Sequence, residues 1–197
     1  MNYLFHCWLG RHDAGLMAGG FLGDFIKGHI NDVKPSALDR GLLLHRHIDV
    51  QSNRLPSMRS TYHRFGSVLR RPAPILLDLV ADHVFAKHWD EFGDRELATF
   101  TASCYEAIDQ HCVPAKARRF YAHMRDTDLL ARYADLQVIE DIMVRILKRL
   151  RFDNCETELA RCLREHERAF YDDFCVYFED LTHIAESWCQ EHKLPCR

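Results

Sequence analysis

Two helix-spaced pairs of acids and imidazoles stand out in the 197-residue chain. In Leu42-Leu43-Leu44-His45-Arg46-His47-Ile48-Asp49, His45 and Asp49 are four residues apart and share one helix face. In Leu76-Leu77-Asp78-Leu79-Val80-Ala81-Asp82-His83-Val84-Phe85, Asp78 and Asp82 repeat that spacing and His83 follows directly. Groups of this kind in an apolar helix must be paired, hydrogen-bonded or metal-bound, because burying a bare charge is costly. Together they supply the nitrogen and oxygen donors that suit manganese, iron, magnesium or zinc. The competing reading is a buried ion-pair network with Arg40 and Arg46. Asp24, inside Phe21-Leu22-Gly23-Asp24-Phe25-Ile26, and His6, inside Leu4-Phe5-His6-Cys7-Trp8-Leu9, are further candidates. A lone histidine in such a run is ordinarily a hydrogen-bonded core residue, and a lone aspartate ordinarily a cap or a salt-bridge partner. The literal His12-Asp13 doublet lies in Gly-Arg-His-Asp-Ala-Gly and reads as a polar turn.

These residues need helices to carry them. Leu and Ala number 40, against 24 for Val, Ile and Thr, a balance that favours helix over sheet. No alternating stretch with a hairpin dipeptide is found. Capping and breaking signals predict helices over about 14–28 after Asp13, 36–50 after Pro35, and from Pro56 to near Gly66. Others follow over 75–90, 95–111 and 115–124. Apolar spacing predicts one over 136–151 and a last long helix carrying Leu159, Leu163, His166, Phe170, Phe174, Tyr177, Leu181, Ile184 and Trp188. The fold class expected is all-α, a multi-helix bundle forming one domain over 1–197. A bundle projects ligands inward from facing helices.

Composition narrows the function classes. A chain 47% hydrophobic and 28% charged is neither disordered nor collagen-like. A net charge of −3 argues against a nucleic-acid coat. No apolar run is long enough for a bilayer, so no membrane partner is expected. The opening residues lack a basic segment followed by a long apolar one, and the cytoplasm is the expected location. The eight cysteines form no Cys-x-x-Cys and read as free thiols. Cys162 and His166 fall four apart, but two ligands make no zinc site. Gly19-Gly20 lacks the Lys-Ser/Thr of a phosphate loop. Charge is nevertheless uneven. Between Asp49 and Asp78 there is no acid, while Arg54, Arg59, Arg64, Arg70 and Arg71 occur there with His63. Such a local basic surface steers an anionic partner, or else is a solvated face. Arg145, Lys148, Arg149 and Arg151 form a second patch.

Taken as a set, several of these segments resemble the acyl-carrier-protein phosphodiesterase family, distant kin of the HD-domain metallophosphohydrolases. The resemblance rests on Met1-Asn2-Tyr3-Leu4-Phe5-His6, Gly23-Asp24-Phe25 with Gly28, Gly41 with His45-Arg46-x-Ile48-Asp49, Leu77-Asp78-x-x-x-Asp82-His83 and His88-Trp89. It runs at near-constant spacing to about residue 90; beyond that it is mainly one of helical character. Ser52-Asn53 departs from the Thr-Asp pair that the family often carries. The resemblance implies an HD-like fold and a manganese-dependent hydrolase, with magnesium or iron as the other candidate cations. It would release 4′-phosphopantetheine from holo-acyl carrier protein. On that reading His6, Asp24, His45, Asp78, Asp82 and His83 are the candidate metal residues, and Asp24, His45, Arg46, Asp49 and Asp82 the catalytic ones. Arg46 would meet the phosphate, since a guanidinium binds phosphate bidentately. Arg54, Arg59, Arg64, Arg70 and Arg71 would dock the acidic carrier. The alternatives are an HD-like phosphohydrolase of a nucleotide or other small diester, and a helical binding module without chemistry. A ferritin-like carrier would want Glu-x-x-His on paired helices, and no such pattern stands out in the first 90 residues.

Overall fold

The computed structural model describes residues 3–30 and 34–195; Met1 and Asn2 of the opening motif and Cys196 lie outside them. The all-helical expectation holds: the described residues form twelve α-helices and one 3-10 turn, with no strand. The helices are α1 (Tyr3–Leu9), α2 (Ala14–Leu22), α3 (Ala37–Ser52), α4 (Pro56–Thr61), α5 (Ala73–Lys87) and α6 (Trp89–Phe92). They continue as α7 (Leu97–Asp109), α8 (Ala115–Asp126), α9 (Leu129–Arg132), α10 (Leu136–Arg149), α11 (Glu156–Glu165) and α12 (Glu167–Glu191). The 3-10 turn is Tyr62–Phe65, after α4. None of the helices is long and apolar enough to cross a membrane. The described cysteines are free thiols.

Capping chemistry sets several of the starts. Asp13 Oδ1 accepts the backbone N–H groups of Gly15 and Leu16 at 2.8 and 3.0 Å, so the aspartate of the His-Asp doublet caps α2. Ser36 and Asp39 form a reciprocal capping box on α3. Two expected ends move. Helix α2 stops at Leu22 with Gly23 as its cap, not near Gly28. The last long helix is two, broken at His166, whose φ of −109° and ψ of 11° leave the helical region. Helix α9 is a single turn entered through Asp128 in the left-handed region (φ 45°).

Helix α1 is buried along its whole length. A seven-residue helix cannot hold itself together in water, so its order comes from its neighbours. Its first turn is capped from a distance. Asp82, on α5, accepts Leu4 N–H on Oδ2 at 3.1 Å and Phe5 N–H on Oδ1 at 2.9 Å. Burial pushes the Asp82 carboxyl up to about 8, against the pull of those two donors. Asp82→Ala would strand two buried donors and is expected to destabilise the fold by about 2 kcal/mol. Thermal melting checks this, and a shift of a degree or less would contradict it.

Helices α2 and α3 run parallel and touch through a row of small residues. An added Cβ on Gly15 would lie 2.6 Å from Ala37 Cβ, one on Gly19 2.2 Å from Gly41 C, and one on Gly23 2.3 Å from His45 Cδ2. The row advances four residues on both helices, the spacing of one helix ridge. It seats His45 directly against the end of α2.

Candidate metal centre

Three helices bring the candidate donors together. His6 comes from α1, His45 and Asp49 from successive turns of α3, and Asp24 from just beyond α2. His6 Nε2 lies 3.3 Å from Asp49 Oδ1, and His45 Nε2 lies 3.3 Å from Asp49 Oδ2 and 3.8 Å from Asp24 Oδ1. The two imidazole rings are 4.4 Å apart, centroid to centroid. One donor atom each from His6, His45 and Asp49 lies within 4.8 Å of the others. Both imidazoles are buried, while Asp49 is 50% exposed, so the group opens to solvent on the Asp49 side.

The electrostatics are asymmetric. Burial and the neighbouring His45 push His6 down to about 4, so it is neutral near pH 7. Burial works against His45 also, but Asp24 and Asp49 outweigh it and raise its pKa. Burial disfavours the Asp49 carboxylate; the two histidines overcome this and hold it well below the usual carboxylate range. Asp24 is likewise lowered, burial being outweighed chiefly by His45.

Whether these residues suit a divalent cation is tested by the atoms left over. Asp24 Oδ2, His6 Nδ1 and both ring nitrogens of His45 are buried without a hydrogen-bond partner. Buried polar atoms are nearly always satisfied, so four orphans in one cluster are unusual. Mixed imidazole and carboxylate donors suit manganese, iron or zinc. The residues present fit such an ion.

The other candidates go elsewhere. Asp82 is engaged with the amides of α1. His83 Nδ1 lies 2.8 Å from Tyr133 O. Neither belongs to the group of converging donors. Asp78, one turn before Asp82, has its pKa raised by burial and by the charges of Asp49 and Asp24, and it too lies outside the group of converging donors. Arg46 donates to Gly28 O at 2.8 Å and to Ile26 O at 3.1 Å, tying the segment after Asp24 to α3. In the basic interval, Arg64 forms a two-bond pair with Asp173, Arg59 Nε donates to Asn53 O and Arg70 faces His63. Arg54 and Arg71 are exposed. Asn53, at the departure from Thr-Asp, caps α3 and donates to Asp49 O at 2.7 Å.

Sequence reasoning missed the small-residue row, although glycines at 15, 19 and 23 facing Ala37 and Gly41 carry the signal at a spacing of four. It also missed the role of Tyr3. Burial raises this phenol's pKa, and the negative charge of Asp24 adds to the shift.

The sequence matches the family acyl carrier protein phosphodiesterase over residues 1–181. The chain belongs to that family. A Yersinia pestis acyl carrier protein phosphodiesterase is 30% identical over 189 residues, covering 94% of this chain and 98% of the relative. An Escherichia coli O6:H1 acyl carrier protein phosphodiesterase is 31% identical over 147 residues, covering 73% of this chain and 76% of its own. One from Serratia proteamaculans is 31% identical over 152 residues, covering 76% and 79%. No solved structure matches the chain. Family membership places the converging His6, Asp24, His45 and Asp49 in a phosphodiesterase scaffold, and both histidine-bearing segments lie within the matched span.

Proposed function

We propose that this protein hydrolyses the phosphodiester joining 4′-phosphopantetheine to the serine of holo-acyl carrier protein, and that a divalent cation, manganese in the first instance, assists. The observation that carries the reading is the convergence of His6, His45 and Asp49, with unpartnered donor atoms, in a member of the phosphodiesterase family.

His6, His45 and Asp49 would hold the cation, with Asp24 as a fourth donor or a water-orienting group. When bound, the cation lowers the pKa of water, polarises a phosphoryl oxygen and offsets charge on the leaving oxygen. The chain contributes the rest. Neutral His6 offers a nitrogen lone pair, which an imidazolium lacks. Asp49 meets both imidazoles and fixes their ring orientations. Asp24 Oδ2 accepts a hydrogen from the attacking water and so orients its oxygen toward phosphorus. In the reaction the water oxygen bonds to phosphorus, the P–O bond to the serine Oγ breaks, one water proton ends on that serine, and the other leaves with the phosphomonoester or passes to solvent. Release of the arm leaves apo-carrier protein.

Incubation of the purified protein with holo-acyl carrier protein and manganese, read by intact mass, tests this. The expected result is a carrier lighter by one phosphopantetheinyl group, with turnover abolished by chelator and restored by added manganese. Full retention of the arm across a series of divalent metals would overturn the proposal.

A further inference from the structure

Beside the metal centre lies a cavity of about 660 Å³ between the N-terminal helix, α8 and α10. It adjoins the segments that carry the centre, because Tyr3, on the helix of His6, and Phe25, which directly follows Asp24, both line it. Its floor is apolar. Phe120 is 37% exposed, an unusual position for a large aromatic, and packs against Tyr3 at 5.9 Å and Phe25 at 6.5 Å between ring centroids. Val138 and Ile142, one turn apart on α10, extend that floor. Its rim is basic. Lys116, Arg132, Arg145 and Arg149 line it, with Asp141 the only carboxylate among the lining residues. Arg149 and Tyr3 both line the cavity, so the basic rim shares it with the helix that carries His6.

An apolar trough ringed by cations suits a ligand that is anionic at one end and lipophilic along its length. We propose that this cavity is the subsite for the pantetheine arm of the substrate, an inference that rests on the hydrolase reading above. The gem-dimethyl and methylene segments of the arm lie along Phe120, Val138 and Ile142. Arg149 and Arg145 sit at the phosphate end, where the arm meets the metal centre. Lys116 and Arg132, on the same rim, face the acidic surface of the carrier. Arg145 and Arg149 of the second basic patch are thereby substrate-facing, and the exposed part of the 54–71 interval is at most an auxiliary face.

The test fills the trough. Ile142 is only partly buried, so Ile142→Trp occupies the floor without displacing the core. Wild type should bind free 4′-phosphopantetheine by calorimetry, and the same compound should inhibit carrier hydrolysis competitively. Ile142→Trp should weaken binding and raise KM for holo-carrier by about tenfold or more. Its hydrolysis of bis(4-nitrophenyl) phosphate, which has no arm, should stay within about twofold of wild type. Should Ile142→Trp fold poorly, Arg145→Ser with Arg149→Ser on the exposed rim gives a second arm: carrier KM rises while the melting temperature is unchanged. No binding of 4′-phosphopantetheine by wild type, or equal losses on carrier and small diester, would overturn the subsite. Binding without turnover of the carrier would instead leave the subsite standing and remove the hydrolase reading.

Discussion

Asp49→Asn is expected to lower carrier-protein hydrolysis by more than about a hundredfold and to strip the protein of bound manganese. Asp49 is the hub of the centre, since each of its oxygens lies 3.3 Å from a different imidazole. Replacing even an outer partner of a metal ligand ordinarily lowers affinity or activity by about 10–100-fold, so a residue that meets both imidazoles directly should exceed that range. The amide keeps the shape of the side chain but loses the charge and turns a donor toward one ring. Because Asp49 is half exposed, little stability should be lost with it. Metal content by atomic emission, carrier turnover by intact mass and a melting curve together check the prediction. Full metal content and full turnover in this variant would remove the centre from consideration. His45→Gln should behave alike in turnover and metal content, because His45 lies between Asp24 and Asp49.

Gly19→Ala should be among the most damaging single methyl groups that can be added to the chain. Its Cβ would fall 2.2 Å from the backbone carbon of Gly41 and 2.5 Å from Gly41 O. Both groups belong to helix backbones and cannot swing aside, so α2 and α3 must move apart. Overpacking of this kind costs about 1–3 kcal/mol, and backbone-on-backbone contact places this case at the upper end. A chain of this size loses roughly 2–4 °C in melting temperature per kcal/mol. The functional loss should exceed the thermal one, because the same row of small residues carries His45 on its next turn. Added manganese should therefore raise the melting temperature of wild type and fail to do so for Gly19→Ala. An unchanged manganese response would show that the inter-helix spacing does not govern the centre.

Much of this site was legible in the residues. The His45–Asp49 pair announced itself by its i,i+4 spacing in an apolar helix, and Asp13 and Ser36 by their capping positions. Asp24 and His6 were visible as polar interruptions of greasy runs. Asp82 was visible in the same way, yet its carboxylate serves backbone amides 77 and 78 residues away. A buried acid satisfied by a metal and one satisfied by amide hydrogens leave the same trace in one dimension. Arg46 shows the same ambiguity, because backbone carbonyls compete for a guanidinium as well as phosphate does. The break at His166 was hidden because neither glycine nor proline marks it, and apolar spacing continues on both sides. The cavity was illegible for a different reason. Its walls come from stretches separated by more than a hundred residues, and α10 taken alone reads as an ordinary amphipathic helix.

The long reach of Asp82 also bears on how the chain matures on the ribosome. Helix α1, carrying His6, emerges well before α5, and the carboxylate that accepts its leading amides is made only some eighty residues later. Until α5 has left the exit tunnel, the greasy α1 segment lacks the acceptor for its leading amides and is a natural client for a holdase. A nascent chain stalled before residue 82 should remain protease-sensitive in α1, and one stalled well beyond α5 should not.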